Sequence, residues 1–206
     1  VVLRGYAFPA TGGFIPPEIP GHSPGIRQPY DPDAARQLLA EAGYPGGRDF
    51  PVIDCLIRDD PGHYLACKFL QTQWLEILGV EIKWNEIRWS SFYDLISEKK
   101  PHLWLVSWIA DYPDPDSILR TNVTLFQGGW DHPEFMQLIE RARNSRDQNE
   151  RVQLYREADR IVIEDVPTIP LHHGGAHFLV KPWVISFPVS PMGNILYSKD
   201  IIIEPH

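Results

Sequence analysis

Positions 111 to 116 read Asp-Tyr-Pro-Asp-Pro-Asp, which puts three carboxylates into one proline-stiffened turn. The turn follows an apolar run from Leu103 to Ile109 that fits a strand covered on both faces. Open α/β folds gather their ligands at the carboxyl ends of such strands. A carboxylate placed there can cap the helix that Pro115 opens, accept from turn amides, bind calcium or hold a ligand cation. Spacing favours the capping role for Asp114, and the two prolines work against the looped oxygen cage that calcium needs. Asp111 stands outside the capping position, which leaves a ligand role for it.

Two other groups of residues have chemistry to offer. Trp89, Trp104 and Trp108 crowd one stretch, and seven tryptophans exceed what a core of this size requires. Strand alternation puts Trp104 and Trp108 on one side, either in the core or, for Trp108 near the strand end, as the apolar wall of a cleft. His172, His173 and His177 resemble a ligand cluster, because His173 and His177 have the spacing that binds metal from one helix face. Pro170 and Gly174-Gly175 deny that helix, so strand and turn histidines are expected and no metal ligand is assigned. The chain has no G-x-S-x-G, P-loop, G-x-G-x-x-G after a strand, or H-E-x-x-H, and no catalytic residue is assigned. Cys55 and Cys67 fit neither zinc nor C-x-x-C spacing; two buried free thiols are expected, with a disulfide as the alternative.

The elements that must position these residues are readable from capping and periodicity. Asp31 and Pro32 open a helix that Gly43 ends. Val52 to Ile57 reads as a buried strand. A helix from about Gly62 to Gly79 presents Ala66, Phe69, Leu70, Trp74 and Ile77 on one face. Val80, Ile82 and Trp84 alternate as a strand. Ser90 or Ser91 caps a short helix through Ile96, and the 103–109 strand follows. This order implies an α/β fold with a largely parallel sheet flanked by helices. Beyond it, helices are expected at Pro115 to about Arg120, Pro133 to Arg143 and 149–164, with short strands at 168–172, 177–180 and roughly 195–203. The first thirty residues are broken by proline and glycine, yet Tyr6, Phe8, Phe14 and Ile15 favour an extended segment laid over a scaffold above a free linker.

The whole chain has 206 residues, 43% of them hydrophobic, and a net charge of −8, a globular composition. The acidity argues against nucleic-acid binding, which needs a basic surface to displace counterions. No apolar run approaches the roughly 18 residues of a membrane-spanning helix. Twenty prolines are near twice the usual share of about 5%. The start at Val1-Val2-Leu3, without Met, is read as a cut boundary.

The phrase Ser107-Trp-Ile-Ala-Asp-Tyr-Pro-Asp-Pro-Asp116 resembles the G-W-x-x-D-x-x-D-P signature of extracellular solute-binding proteins of the oligopeptide/dipeptide class, family 5. Similar segments follow the family's order: Gly12-Gly-Phe-Ile-Pro-Pro17, Tyr30 to Tyr44, Arg151-Val-Gln-Leu-Tyr155, Glu164 to Pro170 and Val180-Lys-Pro-Trp183. The resemblance implies a periplasmic-binding-protein-like lobe. Residues 1–206 would be a single C-terminal ligand-binding lobe, with 1–30 an extended leading segment and about 181–206 a return segment packing toward the other lobe. It further implies non-enzymatic capture of a small solute, foremost a short peptide, between this lobe and an N-terminal lobe of the same protein. Delivery to an ABC permease would follow, in the periplasm or outside the cell, with no cofactor and an upstream membrane anchor compatible.

By the same resemblance Asp111 pairs with a peptide's α-ammonium, and Trp108 with its neighbours Ser107 and Ile109 shapes a side-chain pocket. Trp89 and His63 match cleft-facing positions. His173 and Gly174 stand where relatives often carry tyrosines, and Ser107 replaces the signature's glycine. Three alternatives stay open: a sensing lobe fused to a regulatory domain, a nickel or haem chelate as ligand, and a metal-assisted hydrolase using the histidines.

Overall fold

The computed structural model describes residues 7–99, 101–123, 129–175, 177–189 and 198–205. In chain order the elements are β1 (Ala7–Pro9), α1 (Pro32–Glu41), β2 (Ile53–Arg58), α2 (Pro61–Leu78), β3 (Ile82–Ile87), α3 (Trp89–Lys99) and β4 (Leu103–Leu105), then a π-helical stretch at Ser117–Val123. After it come α4 (Pro133–Asn144), α5 (Gln148–Asp165), β5 (His172–Gly174), β6 (Val184–Ser186) and β7 (Ile202–Ile203). The described residues divide into two compact units: Pro29–Ser107, and those up to Gln28 together with those from Trp108 onward.

The first unit is a small parallel α/β layer whose helices start on one device. The Asp31 carboxylate accepts from the amides of Asp33 and Ala34 at 3.1 and 2.9 Å. Asp60 accepts from Gly62 and His63 at 2.9 and 3.3 Å. In each case proline follows at the first helical position, where its missing N–H costs nothing. Gly79 ends α2 with φ 69°, and a Cβ there would collide with the Gly46 carbonyl oxygen, so dihedral and close approach both demand glycine. The sheet runs β3-β2-β4, all parallel, with Cys55 opposite Trp84 and Leu103. This is the α/β class with a parallel sheet and flanking helices that the element order implies.

In the second unit α4 and α5 pack together through Phe135, Leu138, Ile139 and Ala142 on one side and Leu154, Tyr155, Ala158 and Val162 on the other. Ile15 and Ile19 from the leading segment and Leu119 complete this core. β1 pairs antiparallel with β5, Phe8 opposite His173, and β6 pairs with β7.

Several boundaries differ from the sequence reading. β4 stops at Leu105 instead of Ile109: its last pair with β2 is Leu105 opposite Ile57, one residue before β2 ends at Arg58 and the chain turns through Asp59-Asp60 to cap α2. Trp108 therefore lies outside the strand, and the alternation that paired it with Trp104 does not reach it. α3 begins at Trp89, which puts Ser90 and Ser91 inside its first turn, not at the cap. On α2 the buried residues are His63 and Cys67, while Phe69 is 48% exposed, so the helix lies on the sheet through a face rotated from the predicted stripe. Residues 177–180 form no strand, β5 lies slightly beyond 168–172, and β6 was unforeseen. Residues 195–197 lie outside the described residues. Cys55 and Cys67 are buried free thiols, each pushed up to about 12, by burial first and by nearby carboxylates second.

Candidate functional site

The acidic turn is held from three sides within the second unit. Asp114 accepts from the amide of Asp116 at 2.9 Å, the capping role expected for it, and is also gripped by both terminal nitrogens of Arg151 at 2.5 and 2.7 Å. Asp116 is buried. It accepts from Arg120 Nε and Nη2 (2.8 to 3.1 Å), from the Tyr112 hydroxyl at 2.7 Å and from the Tyr155 hydroxyl at 3.0 Å. Burial alone would raise the Asp116 carboxyl, but these hydrogen bonds outweigh it and hold it below the usual carboxylate range. Asp111 differs from both. Its amide donates to the buried Ser117 Oγ at 2.9 Å, yet its side chain is exposed and, among the described residues, makes no hydrogen bond or ion pair. Trp108 is half-buried and Ile109 is 55% exposed, both just upstream of this turn.

The first unit carries a separate group at the carboxyl end of its sheet. The chain leaves central β2 for β3 on one side and then crosses to β4 on the other, so the crevice beyond β2 and β4 is a topological switch point. His63 reaches it from the first turn of α2 and Ser107 from the residues after β4, and His63 Nε2 and Ser107 Oγ share a 2.8 Å hydrogen bond. Trp89 opens α3 at the same sheet end. Its ring stacks on Phe92 at 5.6 Å and receives the Arg58 guanidinium at 5.3 Å, while Arg58 also pairs with Asp60 at 3.0 Å.

The expected site residues thus fall into two groups, His63, Ser107 and Trp89 in one unit and Trp108, Ile109, Asp111, His173 and Gly174 in the other. His173 is half-buried on β5 and burial pushes its imidazole below the usual range, helped by nearby His22 and His172 and opposed by Glu18. Gly174 is exposed at the end of β5. Among the described residues no three His, Cys, Asp or Glu side chains gather in a way that could hold a metal.

Sequence reasoning passed over the polar residues of α5. Arg151, Tyr155 and Asp159 recur at helical spacing and pin two pieces of chain: Arg151 and Tyr155 hold Asp114 and Asp116 of the acidic turn, and Asp159 accepts from the amides of Phe14 and Ile15 at 2.8 and 3.4 Å. Asp159 is fully buried, and a Cβ on Gly13 would strike its carboxylate. Burial pushes Asp159 up to about 6, against the two amides and His22, which lower it. The signal available in the sequence was an acid-rich turn that needs cations, together with an Arg-x-x-x-Tyr-x-x-x-Asp stripe.

Comparison with known proteins bears on the chain's family. Residues 1–130 match the model of bacterial extracellular solute-binding proteins, family 5 middle. Di/tripeptide-binding protein 2 of Pseudomonas aeruginosa is 32% identical over 97% of this chain and 39% of its own length. Heme-binding protein A of Haemophilus influenzae is 29% identical over 87% of this chain and 34% of its own. The crystal structure of a dipeptide binding protein from Pseudoalteromonas sp. SM9913 in complex with Met-Leu superposes with a TM-score of 0.79 at 25% identity, covering 99% of this chain and 42% of that one. The chain therefore spans about two fifths of the length of the relatives it matches.

Proposed function

The chain belongs to the family 5 bacterial extracellular solute-binding proteins, and on that premise we propose that it is the C-terminal ligand-binding lobe of a protein that captures short peptides for an ABC permease. It does so without catalysis, in the periplasm or outside the cell, against an N-terminal lobe of the same protein. The similarity to a di/tripeptide-binding protein over nearly the whole chain supports the peptide class. Among the described residues no helix is long and apolar enough to cross a membrane.

The observation that carries the reading is the Asp111 carboxylate, exposed and uncompensated in a turn whose other two carboxylates are engaged. It receives the peptide's α-ammonium in a charge-assisted hydrogen bond. Within its own unit, Trp108 and Ile109 supply apolar walls, with His173 and Gly174 as further contacts; in the other unit, Ser107, Trp89 and His63 are ligand contacts of their own. Native mass spectrometry of the full-length gene product identifies any ligand it carries; a haem or nickel chelate in place of peptide overturns the peptide class. Calorimetry with Met-Leu then tests the anchor: Asp111→Ala weakens binding about 10- to 100-fold, the worth of a hydrogen bond to a charged group. Equal affinity of variant and wild type refutes the assignment.

A further inference from the structure

Three carboxylates within six residues repel one another, and in a tight turn that repulsion bears on where each can stand. The fold resolves it unevenly. Asp114 is neutralised by Arg151 in a two-pronged pair and Asp116 by Arg120 with two tyrosine hydroxyls, while Asp111 keeps an exposed carboxylate on a backbone fixed through Ser117. The two anchors from α5 are themselves joined. Arg151 Nη2 reaches the Tyr155 hydroxyl at 3.4 Å, and its guanidinium lies 5.0 Å from the Tyr155 ring centroid. Arg151 and Tyr155 are one helical turn apart and Tyr155 is completely buried, so a rigid helix face meets the turn at two points.

Resting on the reading of Asp111 as ammonium anchor, we infer that Arg151 and Tyr155 are positioning residues for the ligand's amino terminus. They act through the turn. By engaging Asp114 and Asp116 they leave a single carboxylate on offer, that of Asp111, at a fixed place. An Asp114 released from Arg151 is a second acceptor in the wrong position, and the turn that carries Asp111 loses a tether. Removing either residue therefore erodes discrimination between a free and a blocked amino terminus. A merely structural role lowers stability, or weakens every ligand alike, and leaves that discrimination untouched.

The test titrates Met-Leu and N-acetyl-Met-Leu into the full-length gene product by calorimetry and reads the ratio of the two affinities. Wild type favours the free amine, and Asp111→Asn brings the ratio near one. Arg151→Met cuts the preference about tenfold, as expected for a lost contact between charged groups. Arg151→Lys, which keeps the charge without the planar fork, restores only part of it. Tyr155→Phe cuts the preference about threefold, less than the full worth of its hydrogen bond to the Asp116 carboxylate because the effect reaches Asp111 through the turn. If Asp111→Asn abolishes the preference while Arg151→Met and Tyr155→Phe retain the wild-type ratio, the positioning role is overturned and the anchor stands. If Asp111→Asn also retains it, or wild type shows no preference, the anchor falls and the positioning role with it. Should Arg151→Met fail to fold, Tyr155→Phe, which loses one hydroxyl, decides the matter alone.

Discussion

Asp159 and Asp116 are both buried carboxylates on the same core, yet their environments drive them in opposite directions. Asp116 has a guanidinium and two hydroxyls, so its charged form is favoured; Asp159 has two backbone amides and the neighbourhood of His22, which do not offset complete burial. An Asp raised from 3.8 to about 6 binds more protons folded than unfolded. Its contribution to stability is therefore full below the unfolded value and is lost as pH rises through about 6. A tenfold displacement of a protonation equilibrium is worth roughly 1.4 kcal/mol, so the whole contribution is about 3 kcal/mol, of which about 2 kcal/mol is lost between pH 4 and pH 7 because the unfolded carboxyl is already partly ionised at pH 4. Asp159→Asn keeps an oxygen for the Phe14 amide and removes the titration. Urea unfolding of both proteins at pH 4 and pH 7 should show the wild type losing about that much relative to the variant, with the opposite-signed contribution of Asp116 cancelling in the difference. A wild-type-minus-variant difference that is flat across this range would show that Asp159 does not titrate in this way.

At the scale of elements, α5 ends on a residue that works against it. Val166 closes the helix with φ 53° and ψ 43°, and its amide still donates to the Val162 carbonyl at 3.1 Å. A β-branched side chain in the left-handed region costs about 1–2 kcal/mol, and Val166 is 46% exposed, so its burial returns little. Val166→Gly should raise the thermal midpoint, with a net gain of about 1 kcal/mol after glycine's greater freedom in the unfolded chain is discounted; an unchanged or lowered midpoint refutes the strain. The helices themselves were legible because they are written locally, in apolar periodicity and in the Asp31-Pro32 start; the structure adds caps at Asp60 and Asp147, each acting within its own turn. What depends on partners was not. The end of β4 is set by its pairing with β2, and the buried face of α2 by where the sheet lies, neither of which periodicity within one segment encodes. The polar stripe of α5 escaped for the same reason: the helix at 149–164 is recognised by its apolar positions, and nothing within it says what Arg151 and Asp159 pair with. Their partners, Asp114 and the amides of Phe14 and Ile15, lie 37 to 145 residues away.

At the scale of the whole molecule, the acidic turn could be singled out because its three carboxylates stand within six residues, whereas Arg151 and Tyr155, which hold it, come from elsewhere in the chain. A peptide site of high affinity covers most of its ligand's surface, about 70–90% for small molecules, and on the proposed reading a chain two fifths the length of its relatives would supply only part of that cover. If capture takes two lobes, the 206-residue chain expressed alone keeps the Asp111 turn and its α5 supports but lacks the opposing wall. Free energy of binding then falls by a third or more. For a ligand bound near 1 μM, about −8.2 kcal/mol, a third corresponds to a weakening of about 100-fold. Calorimetry of Met-Leu against the isolated chain, shown folded by a cooperative melt, and against the full-length gene product measures this directly. Affinity within about threefold of the full-length value, a gap of under 1 kcal/mol, would place the whole of recognition in this chain and refute capture between two lobes. An isolated chain that binds weakly yet still prefers the free amine over the acetylated peptide would show the anchor working without the partner lobe, with closure supplying the remaining affinity.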